Sequence, residues 1–323
     1  MTSPANALEI GDQIDSYRID APVSRSRTAT VYRATDLRNG GTVALKVPDP
    51  DMETDPFLLE RFRRAAEIGE KLGHRGVMRV FSEVERSRVY MVMEWCDGKP
   101  LRQIMNEGRV APERAIRITA GILEALHNLH DSGVAHRALT PECIMVNEHD
   151  NIKLINFGLA SDAASRRLTF TNLTEALGTV DYISPEQVAS KRGDSRTDIY
   201  AMGVILYEML TSKLPFSGPS PAEAMKARLT KPPLPPSVAW PSISPPLQEV
   251  LYRALERDPK YRYGRAQEFA HDLLNLDRVG IEPRPELRNW KNQEAHLPRK
   301  ILLFLLLMLI PVAILLVMML LRH

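Results

Sequence analysis

Cysteine is nearly absent from this 323-residue chain: it occurs twice, as Cys96 and Cys143, far apart in sequence. That argues against a disulfide framework or a cysteine-built zinc site, and both thiols are expected to stay reduced. No metal site is expected anywhere. An excess of basic charge is missing too. Lys and Arg number 42 against 40 Asp and Glu, for a formal charge of +2, so no strong field exists to hold nucleic acid. The opening MTSPANALEIGDQID has neither an apolar stretch nor a basic start, which reads against a cleavable signal peptide. No internal repeat is visible.

What is present is an ordinary globular composition, 25% charged and 44% apolar, with one exceptional segment. The length allows one large domain or two small ones. The mean hydropathy of −0.22 averages over two different regions. From Ile301 to Leu321 the chain reads ILLFLLLMLIPVAILLVMMLL, uncharged and apolar except for Pro311. As a helix it would be ~31 Å long, about one hydrocarbon core. Each Leu or Ile at membrane depth favours insertion by ~0.3–0.6 kcal/mol. A core helix of a soluble domain seldom stays apolar on every face for so long. The segment therefore reads as a single-pass tail anchor. Arg299 and Lys300 precede it, and Arg322 and His323 follow. Basic flanks and the missing signal peptide favour a cytoplasmic location for the long amino-terminal part. Without Arg299, Lys300 and Arg322 the rest holds 39 basic and 40 acidic residues, close to neutral. The tail has no Gly and only Ala313, so it carries no small-residue helix-pairing face.

Along the chain, residues 17–50 show short β-type runs, including Val31–Tyr32 and Val43–Val47. Phe57, Leu58, Phe62, Ala65 and Ile68 recur at helical spacing over 57–72. Further strands are predicted at Val77–Phe81 and Val89–Trp95. Helices then dominate, at 112–130, Asp198–Leu210 and Arg265–Leu276. Nine prolines between 219 and 246 predict loop between helices there, though such a run could also serve an aromatic groove. Residues 277–300, with Pro283, Pro285 and Pro298, read as a stiff polar linker.

Specific residues now resemble a family. Val43-Ala44-Leu45-Lys46 is similar to the V-A-I-K strand of protein kinases, and Met91 to Gly98 (MVMEWCDG) to the hinge between their lobes, with Met93 as gatekeeper. His136-Arg137-Ala138-Leu139-Thr140-Pro141-Glu142-Cys143 falls on H-R-D-L-K-P-x-N. Asn156-Phe157-Gly158 falls on D-F-G, and Ser184-Pro185-Glu186 on A-P-E. Asp198 resembles the start of the helix beneath the active site, and Arg262 the arginine that pairs with the A-P-E glutamate. Ordered matches over ~260 residues are specific where any one would be weak. The chain thus resembles Hanks-type serine/threonine kinases of the bacterial membrane-bound kind. The resemblance implies an α+β, bilobal kinase-like fold with a small β-rich N-lobe and a large helical C-lobe, plus one C-terminal transmembrane helix. The implied organisation is a tail at 1–14, a kinase-like domain at 15–276 (lobes about 15–95 and 96–276), a juxtamembrane linker at 277–300 and the anchor at 301–321.

The departures from the family decide the functional expectation. Kinase catalysis is mostly positioning and charge stabilisation around Mg-ATP. The phosphate loop reads SRSRTAT, with Ser24, Ser26 and Ala29 at the glycine positions. Side chains there oppose close backbone approach to phosphate. Arg25 and Arg27 could contact phosphate instead, or stand as exposed turn arginines. The helix glutamate position is Ala65, so Lys46 is expected to lose its usual ion-pair partner. Ala138 replaces the base Asp, which alone removes ~10²–10⁴ in rate. Thr140 replaces a lysine. Cys143 replaces a metal-ligand Asn, and Asn156 the D-F-G Asp; a thiol and a neutral amide are poor Mg²⁺ ligands. The residues that hold the fold, His136, Phe157, Glu186, Asp198 and Arg262, are kept. Chemistry is lost while architecture remains, which is the pattern of a pseudokinase.

No catalytic residues are therefore expected. The resemblance leaves nucleotide-binding positions at Lys46, Val31, Ala44, Met93, Glu94 and Cys96, for weak, metal-independent ATP binding; no cofactor is required. The alternative is a slow or atypical kinase, with Lys46 retained and Glu142, Glu148 and Asp150 near the loop. Thr169, Thr171 and Thr174 read either as part of a solvated Ser/Thr-rich loop or as sites for an active kinase in trans, recognised by a phosphothreonine-reading module. The expected partners are the membrane, through 301–321, and other proteins.

Overall fold

Alternation builds the first sheet. In strand β2 (Tyr17–Arg25) Tyr17 and Ile19 are buried while Arg18 between them is exposed. In β3 (Ala29–Asp36) Tyr32 and Ala34 face the same way, and in β4 (Thr42–Pro48) so do Val43, Leu45 and Val47. These side chains form one apolar cluster on one face of the sheet. The opposite face belongs to the interlobe cleft, because a period of two sends Val31, Ala44 and Lys46 there. With β1 (Gln13–Ile14), β5 (Val80–Phe81) and β6 (Met91–Glu94) the order is β1-β2-β3-β4-β6-β5, antiparallel at every pairing. Pro22 lacks an amide hydrogen, and register shifts in β2 fall on either side of it.

The computed structural model describes residues 8–26, 28–49, 56–81, 86–157, 180–191 and 193–283. The chain divides into Met1–Ile281 and Glu282–His323, and every described element lies in the first unit. The anchor expected at 301–321, most of the linker, and Thr169, Thr171 and Thr174 lie outside the described residues. Among the described residues no helix is long and apolar enough to cross a membrane.

Helix α1 (Pro56–Lys71) buries Ala65 and Ile68 in a core shared with Val77, Val80 and Met91. A tight connection, β7 (Lys99–Pro100) into α2 (Leu101–Asn106), leads to α3 (Pro112–Asp131). Its buried stripe Ala115, Ile118, Ile122, Leu126 and Leu129 follows helical spacing. The hairpin β8 (Ile144–Val146) and β9 (Ile152–Leu154) packs beside it. After α4 (Pro185–Val188) comes α5 (Arg196–Thr211), buried along nearly its whole circumference as the axle of the helical lobe.

Two expectations need correction. The strand at 77–81 is only Val80–Phe81; Val77 instead makes an isolated parallel bridge to Leu154, tying the lobes together. The proline-rich stretch is not simply loop. Pro221, Pro236 and Pro245 each open a helix, α6 (Pro221–Thr230), α7 (Pro236–Ala239) and α8 (Pro245–Ala254). Proline suits that first position because its missing donor would be unpaired there anyway. Ser220 and Ser244 cap two of these starts by accepting from Glu223 N and Leu247 N. Leu234 N and Leu234 O are both bonded within the fold, to Pro215 O and Tyr207 OH, so this run is held in place. The last helix, α9 (Ala266–Leu274), packs on α3.

Gly98 lets the chain leave the hinge. Its φ is +119°, and a Cβ would collide with the carbonyl of Val146. Gly98→Ala is expected to cost at least ~1–3 kcal/mol, read as a lowered melting temperature.

Candidate functional site

Sheet register assembles the upper wall of the cleft. Ala44 stands opposite Met93, Lys46 opposite Met91, and Val31 opposite Lys46. The register thus brings Val31, Ala44, Lys46 and Met93 onto neighbouring positions of the sheet. Glu94 and Cys96 follow directly. The Glu94 carboxylate is turned onto Lys153, 2.7 Å away, leaving its backbone to the hinge. The half-buried Cys96 thiol is pushed up to about 11, first by burial and then by Glu94, so it is no thiolate at neutral pH.

The turn between β2 and β3 is closed by its own serine. Ser26 Oγ accepts from Thr28 N at 3.3 Å and Ala29 N at 3.1 Å, and donates to Ala29 O at 2.8 Å. Among the described residues of this tip, the amides of Ser26, Thr28 and Ala29 are therefore engaged. Arg25 is exposed, and Arg27 lies outside the described residues.

Below, the catalytic-loop segment hangs on Asp198. Its carboxylate accepts from His136 N at 2.8 Å and Arg137 N at 2.7 Å, and sits 2.8 Å from His130 Nε2. Burial alone would raise this carboxyl, but His130 and His136 outweigh it and hold it below the ordinary carboxylate range. His136 is fully buried, which lowers its pKa and favours the neutral imidazole; its ring meets Phe157 edge-on at 5.4 Å. Arg137 and Asn156 both have positive φ, 60° and 70°.

The positions that should carry chemistry bond to one another instead. Ala138 and Thr140 are buried. Cys143 Sγ donates to Ala138 O at 3.5 Å and accepts from Thr140 Oγ1 at 3.5 Å. Asn156 Nδ2 reaches the same sulfur at 3.9 Å, while Asn156 Oδ1 accepts from Lys46 Nζ at 3.5 Å. Burial raises the Cys143 pKa, so a protonated thiol stands there. Divalent magnesium wants hard oxygens, preferably carboxylates, and a thiol beside a neutral amide facing a lysine does not fit it. Among the described residues, no three His, Cys, Asp or Glu side chains form a metal-binding group. Ala65 is buried in the apolar core, and Phe62 stands beneath the Lys46 ammonium at 5.5 Å. Glu67 and Glu70 are exposed.

The acids that might have replaced the base are committed elsewhere. Glu142 meets Arg102 at 2.9 Å, and Asp150 meets Arg114 and Arg117 at 2.8 and 2.9 Å. Glu148 is exposed beside His149.

The positions read as structural also lie together. Arg262 donates to both Glu186 oxygens, at 2.8 and 2.7 Å, and to the carbonyls of Glu256, Arg196 and Arg257. Other supports were not foreseen. Gln187 completes a capping box with Ser184 and donates to Arg137 O at 3.0 Å. Arg228, fully buried, donates to Val180 O and Asp181 O. Arg102 ties Glu142, Glu208 and Tyr182 together. The Ser-Pro-Glu-Gln spacing signalled the first; nothing local signals the other two. A cavity of about 630 Å³ also opens beside the hinge, between Glu94–Asp97, α3 and the β8–β9 turn.

A family model described as protein kinase domain matches residues 17–274. The chain belongs to the protein kinase family. Its kinase domain is 36% identical over 263 residues to a probable serine/threonine-protein kinase of Streptomyces coelicolor, covering 80% of this chain and 39% of that one. It is 35% identical over 268 residues to the serine/threonine-protein kinase PknB of Mycolicibacterium smegmatis, covering 81% and 43%. The chain thus spans about two fifths of the length of these curated relatives. The crystal structure of the Mycobacterium tuberculosis PknI kinase domain superposes with a TM-score of 0.65 at 25% identity, over 84% of this chain and all of that one. The bilobal kinase fold and the serine/threonine kinase family are established on these grounds.

Proposed function

We propose that this chain is a membrane-tethered pseudokinase that acts as a signalling scaffold or regulator through protein contacts. The observation that carries the reading is the set Ala138, Cys143 and Asn156, where base and metal ligands are replaced by a methyl, a protonated thiol and an amide. The amide donates to the thiol and accepts from Lys46. The tether rests on the apolar 301–321 segment, with the kinase domain on the cytoplasmic side, next to Arg299 and Lys300. Candidate partners are an active kinase acting on Thr169, Thr171 or Thr174 and a phosphothreonine-reading module; nucleic acid is not among them. No cofactor is required, and ATP binds weakly and without metal. The retained Lys46 keeps one alternative in view, a slow or atypical ATP-dependent serine/threonine kinase.

A thermal-shift titration with ATP separates the two readings. Any stabilisation by ATP is expected to be the same with and without Mg²⁺. Stabilisation that requires Mg²⁺ would overturn the proposal in favour of the slow kinase.

A further inference from the structure

The two ends of the interlobe cleft differ in chemistry. At the hinge end the walls are Val31, Ala44 and Met93, with uncharged backbone at Glu94 and Cys96. At the phosphate end the described polar groups of Ser26, Thr28, Ala29, Cys143 and Asn156 bond within the protein. Ser26 Oγ holds the amides of Thr28 and Ala29, the donors that a hairpin tip would present to an anion. Asn156 faces Lys46 with its oxygen and Cys143 with its nitrogen. A triphosphate that uses these two amides must displace the serine hydroxyl from them, and it meets the cations Lys46 and Arg25 but no group suited to hold a divalent ion.

We infer that this cleft takes an uncharged purine nucleoside, or a planar ligand of that kind, in preference to a nucleoside triphosphate, and that Ser26 is the residue that disfavours the phosphates. The inference rests on the reading of the cleft as non-catalytic. A nucleoside needs the apolar walls and hinge backbone only, and its hydroxyls ask for no cation. The self-bonded phosphate end is then left undisturbed. An anion, by contrast, competes with existing hydrogen bonds one for one.

Calorimetric titration of the full chain in detergent, with adenosine, ATP, and ATP plus Mg²⁺, tests this. Adenosine is expected to bind about tenfold tighter than ATP, with Mg²⁺ leaving the ATP affinity unchanged. Ser26→Gly is expected to raise ATP affinity about three- to tenfold and leave adenosine within about twofold. Ser26→Ala removes the hydroxyl but keeps the restricted backbone, so it should give a smaller gain for ATP. ATP binding as tightly as adenosine to the unaltered protein would overturn the inference. So would failure of both to bind, or a Ser26→Gly effect shared equally by the two ligands. Phosphate incorporation is followed in the same samples. Tight ATP binding without incorporation overturns only this inference, whereas incorporation overturns the non-catalytic reading.

Discussion

Incubated with ATP and Mg²⁺, the full chain is expected to transfer phosphate at least ~10²–10⁴-fold more slowly than an active relative, the loss that follows from the missing base alone. In rate terms that is ~3–5 kcal/mol of barrier. Three features act together. Ala138 cannot accept a proton from a substrate hydroxyl. Glu142 and Asp150, two acids near the loop in sequence, are held by Arg102, Arg114 and Arg117. The Cys143–Asn156 pair offers a dication a thiol and an amide already engaged by Lys46. Because such groups act as a unit, restoring one is expected to recover little. Asn156→Asp alone leaves both Ala138 and Cys143 in place. The check is radiolabel incorporation into the protein itself and into generic substrates. A robust Mg-ATP-dependent signal that disappears in Lys46→Ala would sink the pseudokinase reading.

Arg262→Ala is expected to destabilise the kinase domain by ~3–5 kcal/mol, the usual cost of removing one partner of a buried ion pair. That is a large part of the ~5–15 kcal/mol a domain possesses. Arg262 is fully buried and Glu186 nearly so. The guanidinium donates to both carboxylate oxygens and to three backbone carbonyls, so the variant also strands those acceptors. Lysine cannot reproduce the planar fork, and Arg262→Lys should recover only part of the loss.

The pH dependence has a definite sign. Burial would raise the Glu186 pKa, but the Arg262 hydrogen bonds and charge outweigh it and depress it below 4.5. A depressed carboxylate contributes stability that is present above its unfolded pKa and is lost as pH falls through the folded one. In Arg262→Ala the carboxylate is buried without its cation, so its pKa moves up instead. The difference between variant and parent should therefore be greatest near neutrality and shrink as pH falls, first through the variant's raised pKa above ~4.5 and then through the parent's depressed one below it. Thermal unfolding in detergent across pH 4–7 reads this directly. A difference that stays constant over that range would contradict the assigned role of the pair.

Much of the fold was legible because its signals are local or repeat regularly. Short β-type runs marked β3 and β4, and the apolar stripe marked α3 within a residue at either end. The prolines between 219 and 246 misled because residue type does not say where a helix begins. Pro221, Pro236, Pro245 and Pro246 fill first-turn positions whose donors need no partner within the helix. The strand expected at 77–81 shortened because Val77 pairs with Leu154 of the other lobe, a contact no local pattern encodes.

By itself the sequence determined the family, through ordered motifs over most of the chain, and which atoms are missing, since alanine at 138 or 65 has no polar side chain to bring. It also determined the apolar character of 301–321. Only the tertiary structure decided what the replacements do. Asn156 lies 110 residues from Lys46 and 13 from Cys143, yet it bonds to both because β4 and the segment after β9 converge there, with Asn156 held at positive φ. Glu186 and Arg262 meet across 76 residues for the same reason. Ser26 closes the phosphate turn through a hydroxyl whose direction depends on the hairpin register. Hydrogen bonds need position and angle, and these are properties of the packed chain rather than of residue type.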